Sequence, residues 1–201
     1  MANEVIHYLI TTSSGTYLDC TLGEGGHAEL ILSKVGHDGK LIGIDWDHQA
    51  IIVAQERLEK FGERAIIVKE NFINLEQVIH RFNIDKVDGI LFDLGMSNLQ
   101  ISSPERGFSF LTPGPLDMRM NSSGELTAGR LVNSLSESEL NKIFWIYGEE
   151  RFAKRITHAI VQRRKIRPLE TTQDLADLVC RVILNGSTLK RYILRHAFSK
   201  H

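Results

Sequence analysis

Between residues 16 and 93 the chain repeats one pattern, a short apolar run followed by a stretch of helical periodicity. The runs are 16–20 (TYLDC), 40–45 (KLIGID), 65–69 (AIIVK) and 87–93 (VDGILFD). Each is too short for a helix and lacks the alternation of a half-exposed strand, so each reads as a strand buried on both faces. The stretches between them, 28–35, 47–61 and 73–82, read as helices. In 47–61, Ile51, Ala54, Leu58 and Phe61 recur at helical spacing with charges on the other face. Parallel strands need such crossovers, and helices on both faces bury their side chains. The pattern predicts an α/β fold with a Rossmann-like parallel sheet, of which strands one to four are present, and a helical insert after it.

After Asp93 the pattern changes. Residues 94–123 are rich in Gly, Pro and Ser and hold Pro104, Pro113 and Pro115. A connection of that length inside a compact domain is usually functional. From Leu126 on the reading is helical, over 136–147, 149–164 and 171–184. Ser136 and Glu139 fit a capping box, and Pro168 separates the last two helices. The chain thus divides into residues 1–100, 101–125 and 126–201.

Composition narrows the setting. Apolar residues make up 42% and charged residues 24%, enough for a packed core. Lys plus Arg, 24, balance Asp plus Glu, 25, so net charge points to no polyanionic partner and only local clusters can. Cys20 and Cys180 form neither a disulfide framework nor a CxxC pair, which suits a reducing cytoplasm. The first residues, MANEVIHYLI, carry Glu4 where a signal peptide has positive charge, and their apolar run is short and broken. No segment approaches the roughly 20 apolar residues of a membrane span. The histidines lack metal-ligand spacing, so no metal site is expected.

The turn after the first strand, LGEGGH, is the strongest local motif. Gly23, Gly25 and Gly26 between a strand and a helix permit a tight turn and a close approach by a cofactor. Asp45 ends the second strand about 20 residues later, where a carboxylate accepts hydrogen bonds from ribose hydroxyls. Nicotinamide and S-adenosylmethionine sites share this arrangement, so these residues alone leave both open. Asp93 ends the fourth strand and is followed by Leu94, Gly95, Met96 and Ser97, where ligands of open α/β sheets bind.

Five segments together, YLDCTLGEGGH, IGIDWD, Asn71-Phe72, DGILFDLGMSNLQ and PERGFSF followed by PLDMRM, resemble the MraW family. That family comprises S-adenosylmethionine-dependent methyltransferases acting on the exocyclic N4 of a small-subunit ribosomal RNA cytosine. The resemblance runs from about Glu4 to about Ile183. It implies that residues 1–100 bind S-adenosylmethionine, that 101–125 form a substrate-side loop and that 126–201 form an RNA-recognition insert. It also implies a decoding-region cytosine in the small ribosomal subunit as substrate, in the bacterial cytoplasm, or a mitochondrial setting for a eukaryotic homologue. Carried over residue by residue, it makes Gly25, Gly26 and His27 the glycine-turn contacts and Asp45 the ribose ligand. Phe72 then lines the adenosine pocket, Asp93 lies beside the methionine end, and Gln100 closes the loop. One departure is Ser97-Asn98-Leu99 where the family has Ser-Ser-Pro, which loosens the backbone that positions Gln100.

Methyl transfer to a cytosine amine needs alignment and an acceptor for the amine hydrogens. Asp93 and Asp117 are the candidate acceptors. Ser97, Asp117 and Arg119 are candidate substrate contacts, although a clasp for Arg119 or Arg106 is an equal reading of Asp117. Arg151, Lys154, Arg155 and His158 recur along one helical face and suit an RNA backbone or, alternatively, a solvated surface. Two further readings compete with the methyltransferase: an inactive cofactor- or RNA-binding remnant, and a nicotinamide-dependent oxidoreductase. The remnant reading has weight because the family's leading His-x-Pro-Val-Leu and its later His-Pro-Ala-Thr-Arg and Ser-Phe-His-Ser-Leu-Glu-Asp segments are missing here. The expectation is an incomplete sheet whose fourth strand is an exposed edge, prone to self-association and of little activity, with residues 190–194 as a short substitute strand.

Overall fold

The computed structural model describes residues 2–183. They divide into two compact units. The first runs to Leu99 and takes in Met120–Ser123; the second comprises Gln100–Arg119 and the chain from Gly124 on. The expected pairing of residues 190–194 lies outside the described residues.

The first unit is a parallel sheet of β1 (Thr16–Asp19), β2 (Lys40–Asp45), β3 (Ala65–Lys69) and β4 (Gly89–Leu91), in the order β3-β2-β1-β4. Alternate side chains serve opposite faces. Tyr17 and Leu41 pack with Ala28, Ile31 and Leu32 of α2 (Gly26–Lys34) and Ala54 and Leu58 of α3 (His48–Leu58). Leu18, Ile42, Ile44 and Val68 pack on the other face with Val78 of α4 (Leu75–Arg81). This two-sided burial explains why the runs carry no polar alternation. An amino-terminal helix, α1 (Ala2–Leu9), adds Ile6 and Leu9 to the first face.

Several elements are shorter than their periodicity suggests. The fourth run pairs only over 89–91, because β1 turns away after Asp19. Cys20 donates its amide to Leu91, and beyond that Asp93 donates its own to the Thr21 hydroxyl instead of a strand carbonyl. The third-crossover periodicity begins with a 3₁₀ turn before α4, and α3 ends at Leu58 in a 3₁₀ segment, Glu59–Arg64, that contains a left-handed Gly62. At the start of α3, the Asp47 side chain accepts from the Gln49 amide at 3.0 Å. A Cβ on Gly43 of β2 would meet the Leu22 side chain at 2.5 Å, so Leu22 would have to move to make room for one. Leu22 lies over β2 there and donates its amide to Ile44, which seats the glycine turn on the sheet.

The second unit packs α6 (Ala128–Ser134), α7 (Glu137–Lys142), α8 (Ala153–Ile166) and α9 (Thr172–Ile183) around Leu116, Val132, Leu140, Ile156, Ile160 and Leu169. The capping box at Ser136 and Glu139 is formed. The 136–147 periodicity changes to a π-turn over Ile143–Tyr147. The next helix starts only at Ala153, after a turn in which Glu149 is left-handed and Glu150 caps the Phe152 amide. An isolated bridge of Pro115 to Thr171, with Leu116 donating to Glu170 and Thr172 to Gly114, fixes the PLDM segment at the start of α9.

Candidate active site

The order of the sheet reverses at β1, since β2 and β3 lie on one side of it and β4 on the other. In open parallel sheets the ligand crevice forms at the carboxyl ends of the strands around such a reversal. Three carboxylates stand there, Asp19 at the end of β1, Asp45 at the end of β2 and Asp93 two residues past β4.

Asp45 organises the turn it faces. One oxygen accepts from the Gly23 amide at 2.7 Å, and the other accepts from the Asp47 amide at 2.8 Å. Each carboxylate oxygen has a second lone pair, so both remain able to accept from a ligand hydroxyl. Gly23 and Gly25 are left-handed, with φ of 52° and 79°. Gly25 caps α2 without a side chain, which leaves the first amides of that helix available to an acceptor. His27, on the first turn of α2, holds Nδ1 3.7 Å from Asp93. The Glu24 carboxylate accepts from the Leu99 amide and ties the loop after β4, with half-buried Ser97, to the glycine turn. Gln100 is buried in the short helix α5 (Asn98–Ser102) that follows.

Phe72 follows β3, at the far edge of the sheet from β4, yet its ring meets Phe92 edge-on at 5.8 Å. The 70–74 segment thus meets the chain that follows β4. It is clasped by Glu70, which accepts from Asn74 and from the Asn71 amide; these bonds, Asn74 first, hold its carboxyl below the usual range. Both rings are about half exposed and offer flat apolar surface, with Phe92 next to Asp93 in the chain.

Sequence reasoning passed over Asp19, Thr21 and Phe92. Asp19 is 1% exposed. One oxygen accepts from the Thr21 amide at 3.2 Å, and the other has no hydrogen-bond partner among the described residues. Burial pushes its carboxyl up to about 7, with Asp45 and Asp93 adding to the rise and Thr21 offsetting part of it. Its place in the sequence, a lone acid closing an otherwise apolar strand just before a glycine turn, was the available signal. An open depression lined by Gln55, Leu58, Gly62 and Ala65 lies instead beside the amino end of β3, at the opposite end of the strands.

In the second unit, Arg106 is buried and donates to the Arg119 carbonyl, while Met118 donates back to Arg106. Gly107 is left-handed, and a Cβ there would strike the Pro115 carbonyl at 2.2 Å, so the PERGF turn requires glycine where it meets PLDM. Asp117 receives two side-chain bonds from Arg119, at 2.8 and 2.6 Å. The Arg119 guanidinium holds the Asp117 carboxyl below its usual range. Of the basic residues near α8, Arg155 donates to the Val182 carbonyl, Arg164 to Val132 and Arg163 to Arg167, all structural bonds. Arg151 and Lys154 are exposed, with Arg151 lying over the Phe152 ring.

The sequence matches the model of the MraW methylase family over residues 1–198. The chain belongs to that family. It is 48% identical over 187 residues to the ribosomal RNA small subunit methyltransferase H of Geotalea uraniireducens, covering 93% of this chain and 60% of that protein. It is 45% identical over 198 residues to the protein of the same name from Carboxydothermus hydrogenoformans, covering 98% and 63%. A solved rRNA methylase from Streptococcus thermophilus aligns with 47% of this chain and 52% of its own at 19% identity and a TM-score of 0.38. The chain thus spans about 60% of the length of the curated relatives it matches. The relatives named here are bacterial, and the mitochondrial setting finds no support among them. Among the described residues no helix is long and apolar enough to cross a membrane, and no group of side chains could hold a metal ion.

For a member of the MraW family the cofactor to test against the site is S-adenosylmethionine. The residues fit its chemistry. The uncapped α2 amides suit a carboxylate, Asp45 suits ribose hydroxyls, Phe72 and Phe92 suit an adenine ring, and Asp19 and Asp93 suit positive charge.

Proposed function

We propose that this chain uses S-adenosylmethionine to methylate the exocyclic N4 of a cytosine in the decoding region of small-subunit ribosomal RNA, in the cytoplasm. The observation that carries the reading is the gathering of the glycine turn, Asp45 and Asp93 at the strand-order reversal of a MraW-family chain. Gly25, Gly26, His27, Asp45, Phe72, Asp93 and Gln100 bind the cofactor, which supplies an electrophilic methyl group on a sulfonium. The cytosine amine is a weak nucleophile because its lone pair is conjugated with the ring. Asp93 assists by accepting an amine hydrogen bond, orienting the nitrogen in line with the methyl and taking the proton late. Asp117 is the poorer acceptor, since Arg119 already holds both of its oxygens. It and Arg119 shape the substrate-side loop, and Ser97 orients the base. Arg151, Lys154 and Arg155 follow the RNA backbone, with Arg155 also anchoring α9. Among the described residues β4 is an edge of the sheet, and the chain self-associates through it.

The test is transfer of tritium from labelled S-adenosylmethionine to small ribosomal subunits, with the product nucleoside identified by mass spectrometry. N4-methylcytidine is expected. Calorimetric binding of S-adenosylmethionine without any transfer would favour the inactive remnant, and binding of NAD in its place would favour the oxidoreductase.

A further inference from the structure

We propose that Asp19 is a proton-exchanging positioning residue of the cofactor site, which gives up a proton to solvent when a cation binds beside it. The proposal rests on the reading of these strand ends as an S-adenosylmethionine site. Its ground is the unpaired Asp19 oxygen, almost wholly buried at the centre of the strand-order reversal. A buried carboxylate oxygen without a partner is costly while it is charged, and that cost is relieved either by holding a proton or by the arrival of a donor or a cation.

The surroundings of Asp19 make its charge conditional. Asp45 from β2 and Asp93 beyond β4 both oppose ionisation. Cys20, its neighbour on β1, has its thiol pushed up to about 12, by burial first and by Asp19 second. Glu24 lies on the glycine turn, and His27 on α2 leans towards Asp93 at 3.7 Å. Among the described residues Thr21 supports the anion, through its amide and more weakly its hydroxyl. Among the described residues, no arginine or lysine is one of the groups that shift it. A ligand bearing a sulfonium and an ammonium reverses this balance, because opposite charge nearby favours the carboxylate.

One consequence separates methyl donor from spent product. The donor carries the sulfonium cation, and the product is a neutral thioether. Asp19 therefore ionises more completely with the donor, and replacement of donor by product returns a proton to it. Donor affinity rises with pH up to about 7, where the empty-site carboxyl titrates, and product affinity rises less.

Calorimetry on the 201-residue chain with S-adenosylmethionine and S-adenosylhomocysteine tests this, from about pH 5 to about pH 8, in buffers of different ionisation heat. We expect the wild type to release protons on binding the donor, more than on binding the product. Donor affinity should fall towards tenfold per pH unit below about 7. Asp19→Asn, which keeps an acceptor for the Thr21 amide, should bind both ligands without that release and with a flat profile. Release that persists in Asp19→Asn, or wild-type binding without release, overturns the proposal. Absence of donor binding at every pH overturns the cofactor reading itself, and this proposal with it.

Denaturation of the ligand-free chain gives an independent readout. Because the folded carboxyl is raised above its unfolded value, the folded chain holds a proton that the unfolded chain gives up. Wild-type stability should therefore fall as pH rises from about 4 to about 7 and then level. The fall should be absent in Asp19→Asn, and an identical fall in both proteins counts against the proposal.

Discussion

At the scale of single residues, the carboxylates of this chain divide by what already holds them. Asp45 is used twice by the backbone, so its loss should act on both folding and binding. Asp45→Ala is expected to weaken S-adenosylmethionine binding by roughly 1.5–3 kcal/mol, the usual cost of losing charged hydrogen bonds. Part of that reflects a released glycine turn. Calorimetry alongside thermal melting separates the two, and unchanged affinity would remove Asp45 from the site. Asp117 gives a different profile. Its carboxyl lies below the unfolded value because of Arg119, so the stability it contributes is present above the ordinary carboxylate range and is lost as pH falls through it. Asp117→Asn should cost about 1–2 kcal/mol at neutral pH, and the gap from wild type should close below about pH 4. A gap that persists in acid would assign the loss to packing in the PERGF–PLDM clasp.

At the scale of elements, the helices of the second unit owe their ends to specific side chains. The Ser136 hydroxyl and the Glu139 carboxylate satisfy each other's backbone donors at the start of α7. Ser136→Ala should cost about 1 kcal/mol in chemical denaturation, and Ser136→Asp should restore most of it. The basic run of α8 is less uniform than its sequence suggests, since Arg155, Arg163 and Arg164 each hold a backbone carbonyl. Changing Arg151, Lys154 and Arg155 together to alanine should weaken RNA binding. It should also reduce the log–log salt slope by about 0.7–0.9 for each phosphate no longer neutralised. The Arg151 and Lys154 pair alone should account for most of the slope. Arg155→Ala alone should lower stability through α9, and a salt slope untouched by the triple change would return this face to solvent.

At the scale of the whole molecule, β4 is the least protected strand of the described sheet. It pairs on one side only among the described residues; Ile90 within it is 41% exposed and Phe92 just past its end is 47% exposed. Unpaired backbone groups beside apolar side chains favour pairing with another chain. Sedimentation of the 201-residue chain should show concentration-dependent association, and Ile90→Lys should shift it towards monomer. A monomer at all concentrations would show that this edge is covered.

The sequence alone determined the parallel sheet, because two-sided burial leaves its mark in unbroken runs such as KLIGID and AIIVK. It also determined the glycine turn, the carboxylate after it and the capping box, all of which act between residues a few positions apart or through a recognisable motif. It did not determine where β4 stops, because that depends on β1 turning away at Asp19 and on the Thr21 hydroxyl capturing the Asp93 amide from 72 positions away. It could not pair Phe72 with Phe92, which follow strands at opposite ends of the sheet order and meet only in the folded chain. Nor did it single out Asp19. A carboxylate written into an apolar strand is ordinary until the tertiary structure closes over it, and burial between two other acids then gives it a chemistry that no local pattern encodes.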